Sequence, residues 1–409
     1  MSAVLRVATA GSVDDGKSTL IGRLLHDTRT VLADQLDAVA DASRRRGLGE
    51  ADLALLVDGL KAEREQGITI DVAYRYFATA RRAFILADTP GHEQYTRNMV
   101  TGASTADVAV VLVDARAGLL TQSRRHAAIA GLLGVPHVVL AVNKMDLVGY
   151  DEGVFDELVR EFSMLAERVG LRSVTAIPLS ALHGDNVAAP SDRLDWYAGP
   201  TLLDHLETWE PAEPPAIGLR FPVQYVLRPN PDYRGYSGRV AAGRVSVGDR
   251  VVALPSGRPT SVAGIDTADG PLRTAVAGQS VTLLLADQLD IARGDLIATE
   301  PPPAARALTG TVCWLHETPG RPGDRLLLRH GTRQTRAILS TLDGTLDLVS
   351  LDYRPADQLS LNDLGRVGIR LAEPLHADPY ATSRHTGAFL LTHPTSGAIL
   401  GAGMVEDTS

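Results

Sequence analysis

The chain has 409 residues, 44% hydrophobic and 22% charged, with a formal net charge of −9 at pH 7; this composition is that of a water-soluble globular protein of two to three domains. The acid excess excludes broad electrostatic capture of nucleic acid, though not a local basic site, and the single cysteine, Cys313, excludes an internal disulfide or a multi-cysteine zinc site. No run approaches the ~18 uninterrupted apolar residues of a membrane span, and the first strand starts too near Met1 for a signal peptide, so a cytoplasmic protein is expected.

Residues 4–10 form an apolar, β-favouring run long enough for one buried strand. Gly11-Ser12-Val13-Asp14-Asp15-Gly16-Lys17-Ser18 follows and satisfies the phosphate-loop pattern G-x-x-x-x-G-K-[S/T] in full; helix formers run on from Thr19 to Leu25. Strand, glycine-rich loop and helix in that order are the context the motif needs. Gly11 and Gly16 permit backbone angles that turn successive N–H groups inward on an anion. The helix start adds the positive end of its dipole, Lys17 a point charge for the β- and γ-phosphates, and Ser18 a hydroxyl for Mg²⁺. The motif specifies a nucleoside triphosphate without saying which.

Residues 31–66 read as helical, with a break near the basic run Arg44-Arg45-Arg46. Strands are predicted at 72–77 and 82–87, the second ending in Asp88-Thr89-Pro90-Gly91-His92. Two apolar runs, 108–113 and 137–142, suit buried strands of a parallel sheet. A helix near 124–133 lies between them, and Asn143-Lys144-Met145-Asp146 closes the second. A helix over 155–169 and a strand over 173–179 lead to Ser180-Ala181. Strands alternating with helices, each polar motif just after a strand, indicate a doubly wound, mostly parallel α/β domain that binds its ligand at the carboxyl edge of the sheet.

The composition changes after Trp209. Glu210-Pro211-Ala212-Glu213-Pro214-Pro215 reads as a stiff linker. Beyond it, short alternating segments such as 221–227, 239–245 and 250–254 are punctuated by Gly, Pro and Asp, the pattern of a small β-barrel. Pro301-Pro302-Pro303 precedes a second β-rich block from 308 to about 405. Three domains are expected: an α/β nucleotide-binding domain over 1–210 and two all-β barrels over 216–300 and 304–409.

Four motifs narrow the ligand. In Asp88-Thr89-Pro90-Gly91 the carboxylate can approach Mg²⁺ through a bound water, and Gly91 offers its N–H to the γ-phosphate. Thr69 could give the metal a second hydroxyl. Asn143-Lys144-Met145-Asp146 fits the guanine signature N-K-x-D: an aspartate there accepts two hydrogen bonds from the guanine N1–H and exocyclic amine, a donor pair adenine lacks. Ser180 and Ala181 complete the base pocket through a backbone N–H. For hydrolysis a side chain must orient the attacking water, and His92, beside the γ-phosphate turn, is the candidate catalytic residue. The other ten histidines are scattered and show no metal-ligand spacing.

The phosphate loop, Gly67-Ile68-Thr69-Ile70, Asp88 to His92 and the N-K-x-D element together resemble the translation-factor class of GTPases, whose best-known members carry aminoacyl-tRNA. Within that class, residues 11–28, 63–77, 87–104, 180–187, 228–243 and 359–375 are similar to the large GTPase subunit (subunit 1) of bacterial sulfate adenylyltransferase, or ATP sulfurylase. The turn at 391–395 departs from that pattern. The resemblance implies that residues 14–19 hold the phosphates, that Mg²⁺ sits on Ser18 and Thr69 with Asp88 reached through water, and that 88–92 sense the γ-phosphate. It also implies a heterodimeric partner: a small subunit of the ATP-pyrophosphatase type makes adenosine 5′-phosphosulfate from ATP and sulfate, driven by GTP hydrolysis on the large one. With no second phosphate loop before Ser409, no fused adenylylsulfate kinase is expected. Two alternatives share the GTP motifs: an elongation factor delivering aminoacyl-tRNA, and a GTP-binding scaffold that does not hydrolyse.

Overall fold

A computed structural model describes residues 4–31, 33–45, 52–57, 72–90, 96–211, 217–347 and 350–408. The chain divides into two compact units, Met1–Ala212 with Leu348–Leu351, and Glu213–Asp347 with Asp352–Ser409.

The first unit is built on a six-stranded sheet of β1 (Leu5–Ala10), β2 (Ala73–Ala78), β3 (Ala83–Asp88), β4 (Val108–Asp114), β5 (His137–Asn143) and β6 (Val174–Pro178), in the order β2-β3-β1-β4-β5-β6. All neighbours run parallel except the edge pair β2–β3. Every residue of β4 and β5 is buried, which is why both read as unbroken apolar runs: helices cover both faces of a central parallel strand. The described helices are α1 (Lys17–Asp27), α2 (Ala33–Arg45), α3 (Thr96–Ser104), α4 (Thr121–Leu132), α5 (Glu152–Val169) and α6 (Leu202–Thr208). The core under them joins Leu20, Ile21 and Leu24 of α1 to Leu5, Leu86, Val110, Leu112 and Val139.

Strand register decides where the polar residues go. Thr9 pairs with Asp88, and Asp114 with Asn143. Asp88, Asp114 and Asn143 are the last residues of β3, β4 and β5, so one edge of the sheet collects them.

Some expected elements differ. Of the helical stretch predicted over 31–66, the described part is α2 and a short 3₁₀ turn at Leu53–Leu56; residues 46–51 and 58–66 lie outside the described residues. Helices α3 and α6 carry no sequence prediction, because nine and seven residues are too few for a 3.6-residue period to stand out. In α6, Thr201 caps the start by accepting the Asp204 N–H at 3.2 Å.

Helix α6 is tied back to the sheet at the opposite edge from the strand ends. The buried Arg82 guanidinium donates to the carbonyls of Leu206 (3.2 Å) and Trp209 (2.5 Å) and to Glu210 Oε1 (2.9 Å). His137 Nε2 lies 2.8 Å from His205 Nε2, and its ring stacks on Trp209. Burial, then the His205 charge, lowers the His137 pKa from 6.5 to about 4. The unfolded chain takes up this proton below about pH 6.5 while the folded one refuses it until about pH 4, so stability present above that window is lost as pH falls through it. The melting temperature of the wild type is therefore expected to drop more steeply between pH 6.5 and 4 than that of His137→Asn; parallel curves in a pH series of thermal melts would remove the histidine from this role.

In the second unit, β7 (Arg220–Leu227), β8 (Gly235–Arg239), β10 (Arg250–Leu254), β11 (Arg258–Thr267), β12 (Gly270–Leu272), β14 (Ser280–Leu285) and β15 (Leu296–Ala298) form the sheet of the first barrel, and β9 (Arg244–Ser246) pairs with β13 (Thr274–Val276) in a separate two-stranded sheet. The ring runs β10-β15-β7-β8-β14-β11 and closes where β10 pairs with β11. The second barrel comprises β16 (Ala305–Trp314), β17 (Arg325–His330), β18 (Arg333–Leu346), β19 (Tyr353–Arg354), β20 (Leu364–Leu375), β21 (Ala388–Thr392) and β22 (Ile399–Thr408). Its ring β17-β21-β22-β16-β20-β18 closes through β17–β18. Closure leaves each core sealed, one around Phe221, Tyr236 and Leu283 and the other around Trp314, Leu339 and Ile369.

The strand predicted over 239–245 is corrected to two, β8 and β9. The chain turns between them at Gly243, whose φ of +71° and close approach to the Ile217 and Gly218 carbonyls admit no side chain. Val240, Ala242 and Val245 are all buried, so apolar spacing continues through the turn and hides it.

Candidate functional site

The phosphate-loop residues lie between β1 and α1, as their spacing requires. Asp14 (φ +67°) and Gly16 (φ +94°) adopt left-handed backbone, which curls the loop before α1 begins. A Cβ on Gly16 would fall 2.4 Å from Asn143 Nδ2, and one on Gly11 would fall 2.8 Å from the Leu112 carbonyl. Lys17, buried at 8% exposure, spans the loop: its ammonium donates to the carbonyls of Gly11 (3.1 Å) and Ser12 (2.7 Å). Burial pulls the Lys17 pKa down, opposed by the charges of Asp88, Asp15 and Asp14. Asp15 is buried too, and its carboxylate accepts the Ser12 N–H at 2.6 Å and the Ser123 hydroxyl at 3.3 Å. Burial raises the Asp15 pKa against those bonds and the Lys17 charge.

The guanine-signature residues are bound to the same loop. Asn143 Nδ2 donates to the Asp15 carbonyl at 2.7 Å, and its Oδ1 accepts the Ala181 N–H at 2.9 Å. One buried carboxamide thus couples the phosphate loop to the turn after β6. Lys144, itself left-handed at φ +63°, donates to the Asp14 carbonyl and reaches Asp114 Oδ2 at 2.9 Å. Burial pushes the Asp114 carboxyl up, but its bonds to Arg116 and Lys144 outweigh that and hold it well below the usual carboxylate range. Asp146 Oδ1 accepts the Ser180 hydroxyl at 2.6 Å, which orients the carboxylate. Met145 is fully buried, and its N–H donates to the Leu179 carbonyl at 3.2 Å, so its side chain packs in the core while its backbone sets the loop.

On the other side, the Thr9 hydroxyl donates to Asp88 Oδ1 at 3.3 Å and Thr89 Oγ1 to the Thr9 carbonyl. Asp88, Thr89 and Pro90 are buried, Ser18 and Thr19 are half-buried at the start of α1, and Val13 is exposed. Gly91, His92 and Thr69 lie outside the described residues. The left-handed turn at Asp14 and Gly16, the start of α1, the Ser18 hydroxyl and the Asp88 carboxylate form a donor set of oxygens and N–H groups suited to a triphosphate and a hard cation.

Sequence reasoning missed Ser123 and His126 of α4, which contact the loop from more than a hundred residues away, and Asp114 with Arg116, which fix Lys144. Only Asp114 carries a sequence signal, its place at the end of an apolar strand.

A family model for the elongation factor Tu GTP binding domain matches residues 2–212, and one described as GTP-eEF1A C-terminal domain-like matches residues 307–406. The chain is 52% identical over 414 residues to the bifunctional enzyme CysN/CysC of Mycobacterium tuberculosis (strain CDC 1551 / Oshkosh), covering 99% of this chain and 67% of that protein. To the bifunctional enzyme CysN/CysC of Xylella fastidiosa (strain Temecula1) it is 52% identical over 408 residues, covering 98% and 66%. A solved structure of Sup35 complexed with GDP aligns at a TM-score of 0.45 and 22% identity, over 100% of this chain and 95% of that one. No described helix is long and apolar enough to cross a membrane.

Proposed function

On the footing that this chain belongs to the elongation factor Tu-type family of GTP-binding proteins and is a homologue of the CysN/CysC enzymes, we propose that it is the GTPase subunit of a sulfate adenylyltransferase. GTP hydrolysed here drives synthesis of adenosine 5′-phosphosulfate from ATP and sulfate on a separate small subunit. The observation that carries this reading is that the 52% identity covers 99% of the chain, both barrels included, whereas every GTP motif would be shared by a tRNA carrier. Three modules, 1–210, 216–300 and 304–409, divide the work: the first binds and hydrolyses GTP, and the barrels are expected to present it to the partner.

In this reading Asp146 accepts the guanine N1–H and amine, with Ser180 holding its carboxylate in place. Asn143 and the Ala181 N–H keep the base pocket and the phosphate loop in register. The Asp14 to Thr19 segment holds the phosphates, with Lys17 on the β- and γ-phosphates. Ser18, Thr69 and Asp88, the last through water, would hold Mg²⁺, which supplies charge neutralisation on the phosphates when bound. His92 orients the attacking water.

The experiment is adenosine phosphosulfate synthesis with GTP present or absent, with and without a co-purified small subunit. Strict GTP dependence in the pair is expected. A chain that instead shifts aminoacyl-tRNA in a gel, and stimulates no sulfate activation, would move the assignment to translation. His92→Ala is expected to lower kcat for GTP about a hundredfold at nearly unchanged GTP affinity, as for lost positioning in the transition state; an unaltered single-turnover rate would take His92 out of the mechanism.

A further inference from the structure

Helix α4 touches the phosphate loop at two side chains. Ser123 Oγ lies 3.0 Å from Ser12 Oγ and 3.3 Å from Asp15 Oδ2. One helical turn on, His126 is 1% exposed, and its Nδ1 accepts the Gly11 N–H at 3.0 Å. With Nδ1 accepting, the ring proton sits on Nε2. That nitrogen lies 3.1 Å from the Gln122 side-chain nitrogen; turning the carboxamide over, which exchanges its oxygen and nitrogen, gives the ring N–H its acceptor.

Gly11 is thereby held from both sides. Its N–H is bound by His126, and its carbonyl accepts the Lys17 ammonium at 3.1 Å. The imidazole has to be neutral to do this, because an imidazolium would set N–H against N–H and place a second cation near Lys17. Burial, then the charges of Lys17 and Arg125, lowers its pKa from 6.5 to about 3, so the acceptor form persists through the physiological range.

We propose that His126 is a positioning residue for nucleotide binding: its Nδ1 holds the Gly11 peptide in the orientation that aims Lys17 and shapes the phosphate cradle. It acts through Gly11. The inference rests on the phosphate-loop reading above and adds a residue whose chemistry, a neutral buried acceptor, no phosphate-loop pattern specifies.

The test compares His126→Asn, whose Oδ1 reaches the place of Nδ1, with His126→Leu, which fills the volume and accepts nothing. Dissociation of a fluorescent GDP and steady-state GTP hydrolysis are measured in the full chain. His126→Leu is expected to release GDP about tenfold faster and to raise KM for GTP about tenfold with kcat down less than threefold, on the order of one lost buried hydrogen bond. His126→Asn should recover most of both. If His126→Leu does not fold, His126→Gln, with its oxygen at the Nε2 position, replaces it and is expected to bind as weakly. Nucleotide release at the wild-type rate in His126→Leu, or equal release from the Asn variant and its comparator, overturns the inference while the site stands. A wild-type chain that binds no guanine nucleotide overturns both.

Discussion

Gly16→Ala is expected to lower GTP affinity by about three orders of magnitude. Two independent costs meet at this position. The backbone is left-handed, at φ +94°, a conformation that costs an L side chain about 1–3 kcal/mol. The new methyl would also stand 2.4 Å from Asn143 Nδ2, and that amide cannot step aside. It is 2% exposed and engaged at both ends, with the Asp15 carbonyl at 2.7 Å and the Ala181 N–H at 2.9 Å. Displacing it leaves buried polar groups unpaired at about 1–3 kcal/mol. The sum is near 4 kcal/mol, or about 10³ in affinity. Because Asn143 joins the loop to the turn after β6, proposed above as the base pocket, the damage is expected to reach GDP as well as GTP. Titration calorimetry on both nucleotides measures it; affinity within tenfold of wild type would mean that Asn143 relaxes and does not brace the loop.

Asp378→Asn is expected to destabilise the β-barrel unit by about 3–5 kcal/mol, the range for breaking a buried ion pair. Arg220 of β7 meets Asp378 through two bonds of 3.0 Å, and both side chains are at most 7% exposed. Thr386 donates a further bond to Asp378 Oδ2 at 2.6 Å, and Arg220 Nη1 donates to the Gly218 and Leu219 carbonyls. With asparagine the geometry is kept but the guanidinium is left buried without its counter-charge. Replacing both partners, as Arg220→Met with Asp378→Leu, is expected to recover most of the loss, since an apolar pair avoids desolvating two charges; the Gly218 and Leu219 carbonyls left behind keep the recovery incomplete. Urea unfolding of the wild type, the single and the double variant decides it. A double variant no better than Asp378→Asn would show that the network of bonds, not the charge balance, holds the barrels.

Much of the candidate site is legible in the sequence for a local reason. A phosphate loop needs its glycines, lysine and hydroxyl within eight consecutive positions, and the strand before and helix after it announce themselves by period. The residues at the ends of β3, β4 and β5 are legible in the same way, since a buried parallel strand is an apolar run and the first polar residue after it lies at the carboxyl edge. Legibility fails where an apolar pattern is short or crosses a turn. Helices α3 and α6 are too brief to show a period, and the Gly243 turn interrupts the ladder without interrupting the spacing of Val240, Ala242 and Val245.

His126 marks a different limit. Within α4 it is one histidine among alanines and arginines, indistinguishable from the other scattered histidines, and its partner Gly11 is 115 positions away. Asn143 is recognisable as part of a guanine motif, yet the motif says nothing of its bond to Asp15, 128 positions distant. Arg220 and Asp378, 158 positions apart, belong to segments that give no hint of pairing.

The sequence by itself determined the identity of the ligand class, the α/β-then-barrel order and the family, because each rests on spacing within a single strand, loop or helix. Only the tertiary structure decided how the phosphate loop is held. Its eight residues are the proposed donors for a triphosphate, while the side chains that hold the loop — His126, Ser123, Asn143 — reach it from α4 and from the end of β5. Such contacts depend on strand order and register, which no local pattern encodes.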